Sequence, residues 1–546
     1  MPATYTNPRY PFAPVRDAGA RHKVVVVGGG LVGLTMALDL ARRGQKVVLL
    51  DEDDTVSFGS RAICWAKRSL EIFGRLGLGE ALLARGVTWN TGRVFFGDRQ
   101  VYHFDLLPEA GHQYPAFINL QQYHLEEALV EACRATGLVD LRWHSRVAAV
   151  APGPDGVALT VETPEGSYAL HADWLLAADG ARSFVRRALG LSFIGQEFRD
   201  RFLIADVVMR AGFPAERWFW FEPPFHPGGS VLLHRQADDV WRIDFQLGWD
   251  SDPEAERDPA RVAARVRAML GPEVEFALEW VSVYSFRCRR LERFRHGRIL
   301  FLGDAAHQVS PFGARGGNAG VQDVDNLGWK LDAVLRGAAP DALLDSYDAE
   351  RIAANDENIL NSTRSTDFIT PKNAAARAYR DAVLELAGRY AFARPLVNSG
   401  RLSRPAVLAD SPLNTPDDAP WTGGLPPGAP AADAPVRSDG QPDWLLRHLG
   451  GDGFTLLLFG PPGDFPALAA GGPRPVFLTR TATPGALHDA EGLAAARYAA
   501  GPGAAILLRP DQHVAARWRH FDAAAVAHAQ RCACGITITD TQRMAG

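Results

Sequence analysis

The sequence predicts an α/β protein: a parallel-sheet domain carries an inserted, mostly antiparallel β-sheet and is followed by a small C-terminal α/β domain. Near the N-terminus, residues 24–27 are four consecutive valines, typical of a parallel strand buried on both faces. A glycine-rich turn and an Ala- and Leu-rich helical stretch at 31–43 follow them. Farther along, residues 241–247 alternate apolar and polar side chains, which indicates a half-buried strand.

Composition limits the class of protein. The 546 residues are 47% hydrophobic, with 58 basic and 63 acidic side chains, so we expect three to four folding units and no nucleic-acid binding. The longest apolar run, 24–38, is interrupted by glycines and is shorter than the roughly 18 residues of a membrane span. The N-terminus shows no secretion signal, and the five cysteines are an odd number. These features predict a cytoplasmic protein without membrane association.

The changes of pattern along the chain predict where the domains begin and end. Residues 1–21 form a polar leader, and the parallel-sheet domain is discontinuous, covering 22–191 and 287–400. The inserted sheet covers 192–286, where short aromatic and β-branched stretches replace the helical pattern. Residues 401–444 are dense in Pro, Ala, Gly and Asp and are expected to be a linker. The C-terminal domain covers 445–546.

The most specific local motif is a glycine fingerprint between the first strand and its helix. Gly28, Gly30 and Gly33 have the GxGxxG spacing, and Asp51 ends the second strand 21 positions after Gly30. In such a turn the glycines allow a tight bend, close approach of a pyrophosphate and close helix–strand packing. The acidic residue accepts a hydrogen bond from a ribose hydroxyl. The motif therefore predicts a Rossmann-like dinucleotide site.

Two later segments each place an aspartate directly after an apolar strand. Asp179 and Gly180 follow the stretch 174–178, and Gly303 and Asp304 follow a strand that ends at residue 302. Ligands of open α/β sheets bind at the carboxyl ends of the strands. We therefore expect both aspartates beside the bound dinucleotide.

These three motifs, in this order, resemble those of the group A, single-component FAD-dependent aromatic hydroxylases, which include p-hydroxybenzoate, phenol and 3-(3-hydroxyphenyl)propionate hydroxylases. The resemblance covers about residues 22–370. It implies an FAD-binding domain, a substrate-binding β-sheet domain and, as in the phenol hydroxylase branch, a thioredoxin-like C-terminal domain. Because no CxxC motif is present, we expect that last domain to serve packing or dimerisation, and a homodimer is one alternative.

The resemblance also implies roles for individual residues. The three glycines bind the FAD phosphates, Asp51 the adenosine ribose, and Asp304 the ribityl chain. Arg61 is expected on the pyrophosphate side, together with Gln122, for which Gln121 is the rival alignment. The other FAD contacts expected are Leu31, Val147, Asp179, Arg182, Arg315, Gly316, Gly317 and Asn318.

Three of these positions carry a further expectation. Asp179 and Arg182 lie in a segment to which the family assigns a double role in FAD and NAD(P)H binding. Arg315 either reinforces the negative charge of the reduced flavin, or binds a substrate carboxylate, or forms a surface ion pair.

The reaction implied is FAD-dependent hydroxylation of a phenolic aromatic acid by NAD(P)H and O2 through a flavin C4a-hydroperoxide. Two alternatives stay open: oxygenation of a larger polyketide or antibiotic, and a non-catalytic FAD-binding redox module. No carboxylate stands at positions 63–64, where phenol hydroxylase-like relatives have one. His234 and Tyr284 are the candidate catalytic residues, although a structural hydrogen bond is an alternative role for each. No metal site is predicted, because Cys532 and Cys534 supply only two thiolates.

Overall fold

The computed structural model describes residues 5–397 and 402–536, so the domain boundary expected at 400 lies outside the described residues. The first elements are β1 Arg21–Val27, α1 Leu31–Arg42, β2 Val47–Leu50, β3 Cys64–Ala66, α2 Lys67–Arg75, α3 Gly79–Arg85, β4 Val87–Trp89, β5 Thr91–Phe96, β6 Arg99–Asp105, β7 Phe117–Asn119, α4 Gln122–Thr136, β8 Val139–Arg142, β9 Arg146–Gly153, β10 Gly156–Thr163, β11 Gly166–Ala177 and α5 Phe184–Ala188. Next come β12 Phe193–Met209, β13 Arg217–Phe221, β14 Ser230–Arg235, β15 Val240–Leu247, α6 Pro253–Glu256, α7 Pro259–Leu270, β16 Phe276–Leu291, β17 Arg295–His296, β18 Ile299–Phe301, β19 His307–Gln308, α8 Gly316–Leu335, α9 Asp345–Ile369 and α10 Ala374–Arg389. The last are β20 Pro435–Ser438, β21 Gln441–Trp444, β22 Thr455–Phe459, β23 Arg474–Thr479, β24 Leu487–His488, α11 Leu493–Tyr498, β25 Ala505–Leu508, β26 Val514–Trp518 and α12 Ala523–Ala533. Within the described ranges, no helix has the length and apolar character needed to cross a bilayer.

The central parallel sheet has the strand order β17-β18-β11-β1-β2-β8. From β18 to β8 its strands run parallel, and β9 and β10 extend β11 as an antiparallel arm. The valines at the end of β1 are buried because this strand lies in the interior of the sheet. Helix α1 connects β1 to β2 and packs against α4 and α8. The predicted strand–turn–helix–strand unit is confirmed.

The inserted sheet has the order β19-β16-β12-β15-β14-β13-β5-β6 and is antiparallel except where β13 pairs with β5. Strands β12 to β16 come from the expected segment, with β16 running five residues past it, but β5, β6 and the short edge strand β19 come from residues 91–105 and 307–308, which the sequence had placed in the parallel-sheet domain. Where β5 pairs with β13, Phe95 stacks on Trp220, with ring centroids 5.1 Å apart. The substrate sheet is therefore not a single continuous insertion, because an earlier hairpin completes its edge.

Strand β15 is buried on both faces, so its expected half-buried character is wrong. Its apolar residues, such as Ile243, pack in a core that includes helix α7. Its polar residues Arg242 and Asp244 are only 5% and 7% exposed. Arg242 pairs with Asp244 at 2.9 Å and donates hydrogen bonds to the carbonyls of Ser60 and Arg61, each 2.9 Å long. The polar face is thus buried against the loop that follows β2.

The C-terminal sheet has the order β21-β20-β24-β23-β22-β25-β26, with β22, β23 and β24 parallel. The apolar segments 454–459, 476–478 and 505–508 contribute β22, β23 and β25, and the Ala-rich segment 523–529 lies in α12. However, β20 and β21 belong to residues assigned to the linker, and Leu408, Leu413 and Ala429 in that segment are buried. The linker assignment of 401–444 is therefore wrong from 435 onward, since this segment pairs with β24.

A buried charge network, which we call the docking network, joins the C-terminal domain to α8 and α9. Arg509 donates to Asp511 at 3.0 Å and to Glu350 at 3.1 Å, and Lys330 donates to Glu350 at 2.6 Å. These side chains are fully buried. Trp329 adds a hydrogen bond of 3.1 Å from its indole N–H to Asp511. The cations hold the pKa of Glu350 and of Asp511 well below the usual range.

We predict that Arg509→Met destabilises the protein by about 3 kcal/mol, because it leaves two buried carboxylates short of a partner. The measurement is urea unfolding followed by intrinsic fluorescence. The control is Arg447→Gln, which removes an exposed ion pair between the same two domains, Arg447–Glu80 at 3.2 Å. That change should cost less than about 1 kcal/mol. Equal losses from the two variants would contradict a dominant role for the docking network.

The same network predicts a pH dependence. A carboxylate with a depressed pKa stabilises the fold above its unfolded pKa of about 4.3 and loses that contribution as the pH falls toward its folded value. Acidification below about pH 5 should therefore weaken the wild type progressively. Arg509→Met should show a shallower loss over the same window, since less of the carboxylates' depressed pKa remains. A parallel pH profile for the two proteins would argue against this assignment.

Candidate active site

The glycine turn after β1 has the geometry that its spacing predicts. Gly28 has φ +107°, and a Cβ atom there would lie 2.4 Å from the carbonyl oxygen of Ala178. A Cβ on Gly33 would lie 1.9 Å from the carbonyl oxygen of Gly28, so close packing of helix and strand requires both glycines. At Gly30 a Cβ would meet only a carboxylate oxygen of Glu126, at 3.7 Å. The fold itself does not need glycine at that position, and the open space over the start of α1 suits a pyrophosphate.

Asp51 lies at the end of β2, beside this turn. Its carboxylate accepts hydrogen bonds from the backbone N–H of Gly29 and, at 2.8 Å, from that of Asp53. Burial raises the pKa of Asp51 to about 6 against these two hydrogen bonds, so the side chain is mainly ionised at neutral pH. An ionised carboxylate retains lone pairs for the ribose hydroxyls of a dinucleotide.

Gln122 links the glycine turn to the loop that carries Arg61. Its Oε1 accepts from the N–H of Ala62 at 3.1 Å, and its Nε2 donates to Glu126 at 2.7 Å. Glu126 in turn accepts from the N–H of Leu31, the first residue of α1, at 2.9 Å. Sequence reasoning missed Glu126, although its spacing of four from Gln122 places both on one face of α4.

The rival residue Gln121 faces another part of the molecule. Its Nε2 donates to the carbonyl of Ala237 at 3.1 Å, in the hairpin between β14 and β15. Gln121 therefore contacts the inserted sheet, whereas Gln122 contacts the nucleotide turn. This placement favours the alignment that uses Gln122.

The segment after β11 brings Asp179 to the same edge of the central sheet. Its Oδ2 accepts from the N–H of Val185 at 3.0 Å, and its Oδ1 is buried with no protein partner within the described ranges. Burial raises the pKa of Asp179. Arg182 is exposed, whereas Arg186, which sequence reasoning had not singled out, donates to the carbonyl of Ala305 at 3.5 Å. Arg186 thus ties this segment to the one around Asp304.

Asp304, Arg61 and Tyr284 converge on one cleft. The side chain of Asp304 is accessible to solvent. The protein around it removes part of its hydration and so raises its pKa, whereas His307 and Arg61 lower it. The Tyr284 side chain is 43% exposed and feels the charge of Asp304. Desolvation of the Tyr284 hydroxyl by the surrounding protein and the charge of Asp304 raise the pKa of Tyr284 to about 12. A carboxylate, a cation and a protonated phenol therefore lie near one another where the central sheet meets the inserted sheet, a region that we call the cleft.

Below the cleft, a buried triad holds the loop that carries Asp304. Asp323 bonds to Nε2 of His307 at 2.6 Å, accepts from Arg351 at 2.7 Å and accepts from the N–H of Gly303 at 3.0 Å. The interactions with His307 and Arg351 outweigh burial and lower the pKa of Asp323 to about 2. Sequence reasoning missed Asp323 and Arg351, because their partners lie on other elements.

Helix α8 begins at Gly316, so Gly316, Gly317 and Asn318 present first-turn N–H groups that have no intrahelical acceptor. The side chain of Asn318 is committed to the protein. Its Oδ1 accepts from the N–H of Ala66 at 2.9 Å, and its Nδ2 donates to the carbonyl of Cys64 at 2.8 Å. Any contact of Asn318 with a flavin must therefore use its backbone N–H.

The remaining expected residues lie deeper in the fold. Arg315 is 4% exposed and donates to the carbonyl of Phe312 at 3.0 Å, so it lies inside the protein and not on its surface, and burial lowers its pKa to about 10. Val147 is buried in β9 opposite Val161. His234 is buried in β14, on the face of the inserted sheet that carries Arg242.

We predict that Asp304→Ala weakens FAD retention at least tenfold, because it removes a carboxylate acceptor from the cleft without disturbing the triad beneath it. The flavin-to-protein absorbance ratio after gel filtration measures the effect. The control is Asp356→Ala, which removes an exposed carboxylate paired with Arg290 on the outer surface. Unchanged flavin content in Asp304→Ala would refute the assignment of this residue.

Comparison with known proteins identifies the family. The family model described as an FAD binding domain matches residues 21–362. The chain is 35% identical over 522 residues to a 6-methylpretetramide 4-monooxygenase of Streptomyces rimosus, covering 91% of this chain and 90% of that protein. It is 31% identical over 369 residues to a 3-(3-hydroxy-phenyl)propionate/3-hydroxycinnamic acid hydroxylase of Mycolicibacterium smegmatis, covering 66% of this chain and 64% of that one.

Solved structures show the same fold. The flavin-dependent monooxygenase PieE, in complex with FAD and substrate, superposes with a TM-score of 0.81 over 95% of this chain and 100% of that one, at 22% identity. Aklavinone-11 hydroxylase, in a ternary complex with FAD and aklavinone, superposes with a TM-score of 0.77 over 95% and 100% of the two chains, at 25% identity. The expected fold class and FAD cofactor are thereby confirmed, and the chain belongs to the group A FAD-dependent aromatic monooxygenases.

Proposed function

We propose that this protein uses NAD(P)H and O2 to hydroxylate a phenolic ring of an extended, polyketide-type aromatic compound. The observation that carries this proposal is the similarity to 6-methylpretetramide 4-monooxygenase, which runs over 91% of the chain. The relatives named 3-(3-hydroxy-phenyl)propionate hydroxylases match about two thirds of it. The substrate class thus follows the relative that shares nearly the whole architecture.

The residues of the cleft have different roles in this reaction. Bound FAD supplies the hydride acceptance and oxygen activation that protein side chains lack. Asp51, Arg61 and Asp304 hold it by its ribose, pyrophosphate and ribityl parts. Tyr284, whose pKa of about 12 keeps it protonated, has a hydroxyl proton available for a hydrogen bond to the substrate or the cofactor.

His234 is a weak base. Burial and the charges of Arg217 and Arg242 lower its pKa well below 6.5, so the imidazole is neutral at physiological pH. A group with so low a pKa removes a phenol proton poorly at neutral pH. We therefore assign His234 to orienting the substrate by hydrogen bonding rather than to general-base catalysis.

A small phenolic acid, the substrate expected from the sequence, is the second candidate. Two buried arginines, Arg217 and Arg242, lie on the inner face of the inserted sheet, and only Arg242 is paired with a described carboxylate. A buried cation favours a substrate with a carboxylate. This observation supports the second candidate without requiring a different reaction.

The test is substrate-stimulated turnover of the FAD-loaded protein. NADH and NADPH oxidation and O2 uptake are followed with aklavinone and with 3-(3-hydroxyphenyl)propionate, and products are identified by mass. We expect a multi-ring phenol to raise NAD(P)H oxidation at least tenfold and to gain one oxygen atom. Stimulation by the phenylpropionate alone would favour the second candidate. Bound FAD without stimulation by any phenol would contradict both and favour a non-catalytic redox module.

A further inference from the structure

A row of polar side chains crosses the inner face of the inserted sheet. The strand register pairs Arg217 with His234, His234 with Arg242, and Arg242 with Asp206. Residues directly opposite one another on neighbouring strands project from the same face. Two of the four are satisfied by the protein: Arg242 binds Asp244, and Asp206 accepts a hydrogen bond of 2.8 Å from Ser60. The other two, Arg217 and His234, have polar side-chain atoms that the described residues do not pair.

Arg217 is a buried cation without a counterion. Its side chain is 8% exposed and lies over the Phe219 ring, 5.4 Å from the centroid. Within residues 5–397 and 402–536 it forms no ion pair and its guanidinium donates no hydrogen bond. The acid whose charge acts on it, Asp244, is already bound by Arg242. Because guanidinium keeps its charge even when buried, this site lacks an anion.

The residues beside Arg217 lack partners in the same way. His234 is 3% exposed, and its Nδ1 has no hydrogen-bond partner in the part of the chain that the structure describes. The same holds for both amide atoms of Gln236, the residue that follows the last residue of β14. The indole of Trp89 lies against His234, with ring centroids 5.8 Å apart. Arg217, His234 and Gln236 thus all have polar side-chain atoms without a hydrogen-bond partner among the described residues, and His234 lies against the ring of Trp89.

The cluster adjoins the expected position of the flavin. Arg217 and Arg242 both act electrostatically on the partly buried thiol of Cys64 in β3. The carbonyl of Cys64 accepts a hydrogen bond of 2.8 Å from Asn318, in the first turn of α8. A single short strand therefore connects the unpaired groups to the helix start that suits the flavin ring.

We propose that Arg217 and His234 form a subsite for an anionic oxygen of the aromatic substrate, either a carboxylate or an ionised phenol or enol oxygen. The guanidinium supplies two parallel N–H donors, and the neutral imidazole supplies one more. Arg217 then determines which substrates the enzyme accepts. The inference rests on the proposed function, since it assigns the same cleft to an aromatic substrate.

The test measures binding of simple anions to the FAD-loaded protein by calorimetry. Benzoate is compared with uncharged benzamide, and 4-nitrophenol, at a pH where it is ionised, with uncharged 4-nitroanisole. We expect at least one anion to bind tenfold or more tightly than its neutral counterpart. Arg217→Gln should abolish that preference, and Arg217→Lys should retain part of it. Loss for benzoate identifies a carboxylate as the partner, and loss for 4-nitrophenol identifies an ionised phenol.

The matched control is Arg235→Gln, because Arg235 neighbours His234 in β14 but is 41% exposed and pairs with Asp239 outside the cluster. Its anion preference should equal that of the wild type. If Arg217→Gln loses FAD or unfolds, Arg217→Lys and His234→Asn are compared instead, and both should bind the anion at least threefold more weakly. Equal binding of anion and neutral probe by the wild type, or an unchanged preference in the variants, overturns the proposal.

The outcome is separable from that of the turnover test. An anion preference lost in Arg217→Gln, with no phenol stimulating NAD(P)H oxidation, would leave the subsite in place and reject the proposed reaction. Hydroxylation of a phenol by the wild type, with no effect of Arg217→Gln on anion binding, would support the reaction and reject the subsite.

Discussion

The site depends on the parallel register of the central sheet. Val27 of β1 pairs with Leu50 on one side and Ala177 on the other, and Ala177 pairs with Phe301. Four strands therefore end at the same level, and every segment that follows them opens onto one edge. If the strands were out of register, the helices between them could not bring the four following segments to one edge. The groups that meet there are Gly28, Asp51, Asp179 and Asp304.

A single loop joins the cofactor half of the site to the substrate half. Residues 57–66 are held on one side by Gln122 and Asn318, which bind Ala62 and Cys64. On the other side, Arg242 of the inserted sheet binds the carbonyls of Ser60 and Arg61. Such doubly bound segments leave little freedom for independent movement. The position of Arg61 in the cleft is thus set by both domains, which couples cofactor geometry to the substrate sheet.

The C-terminal domain is joined to the FAD-binding domain by buried charges. Arg509 and Glu350, which are both fully buried, lie 159 positions apart in sequence and form an ion pair across the domain boundary. A buried pair gives little net stability compared with apolar residues, but it strongly disfavours an arrangement in which either charge is left alone. We interpret the docking network as a device that specifies one orientation of this domain against α8, whose first turn faces the cleft.

The nucleotide fold could be predicted from the sequence, because the glycine spacing, the strand-end aspartates and the helix that follows are all local patterns. The sequence did not reveal the hairpin at 91–105 or the strands at 435–444 as parts of their sheets, since each pairs with distant segments. Which charges are buried could be recognised only from the tertiary structure. Arg242 and Asp244 had the pattern of a solvent face, and Arg217 was one cation among many. Burial depends on what packs over a residue, and that information lies elsewhere in the chain.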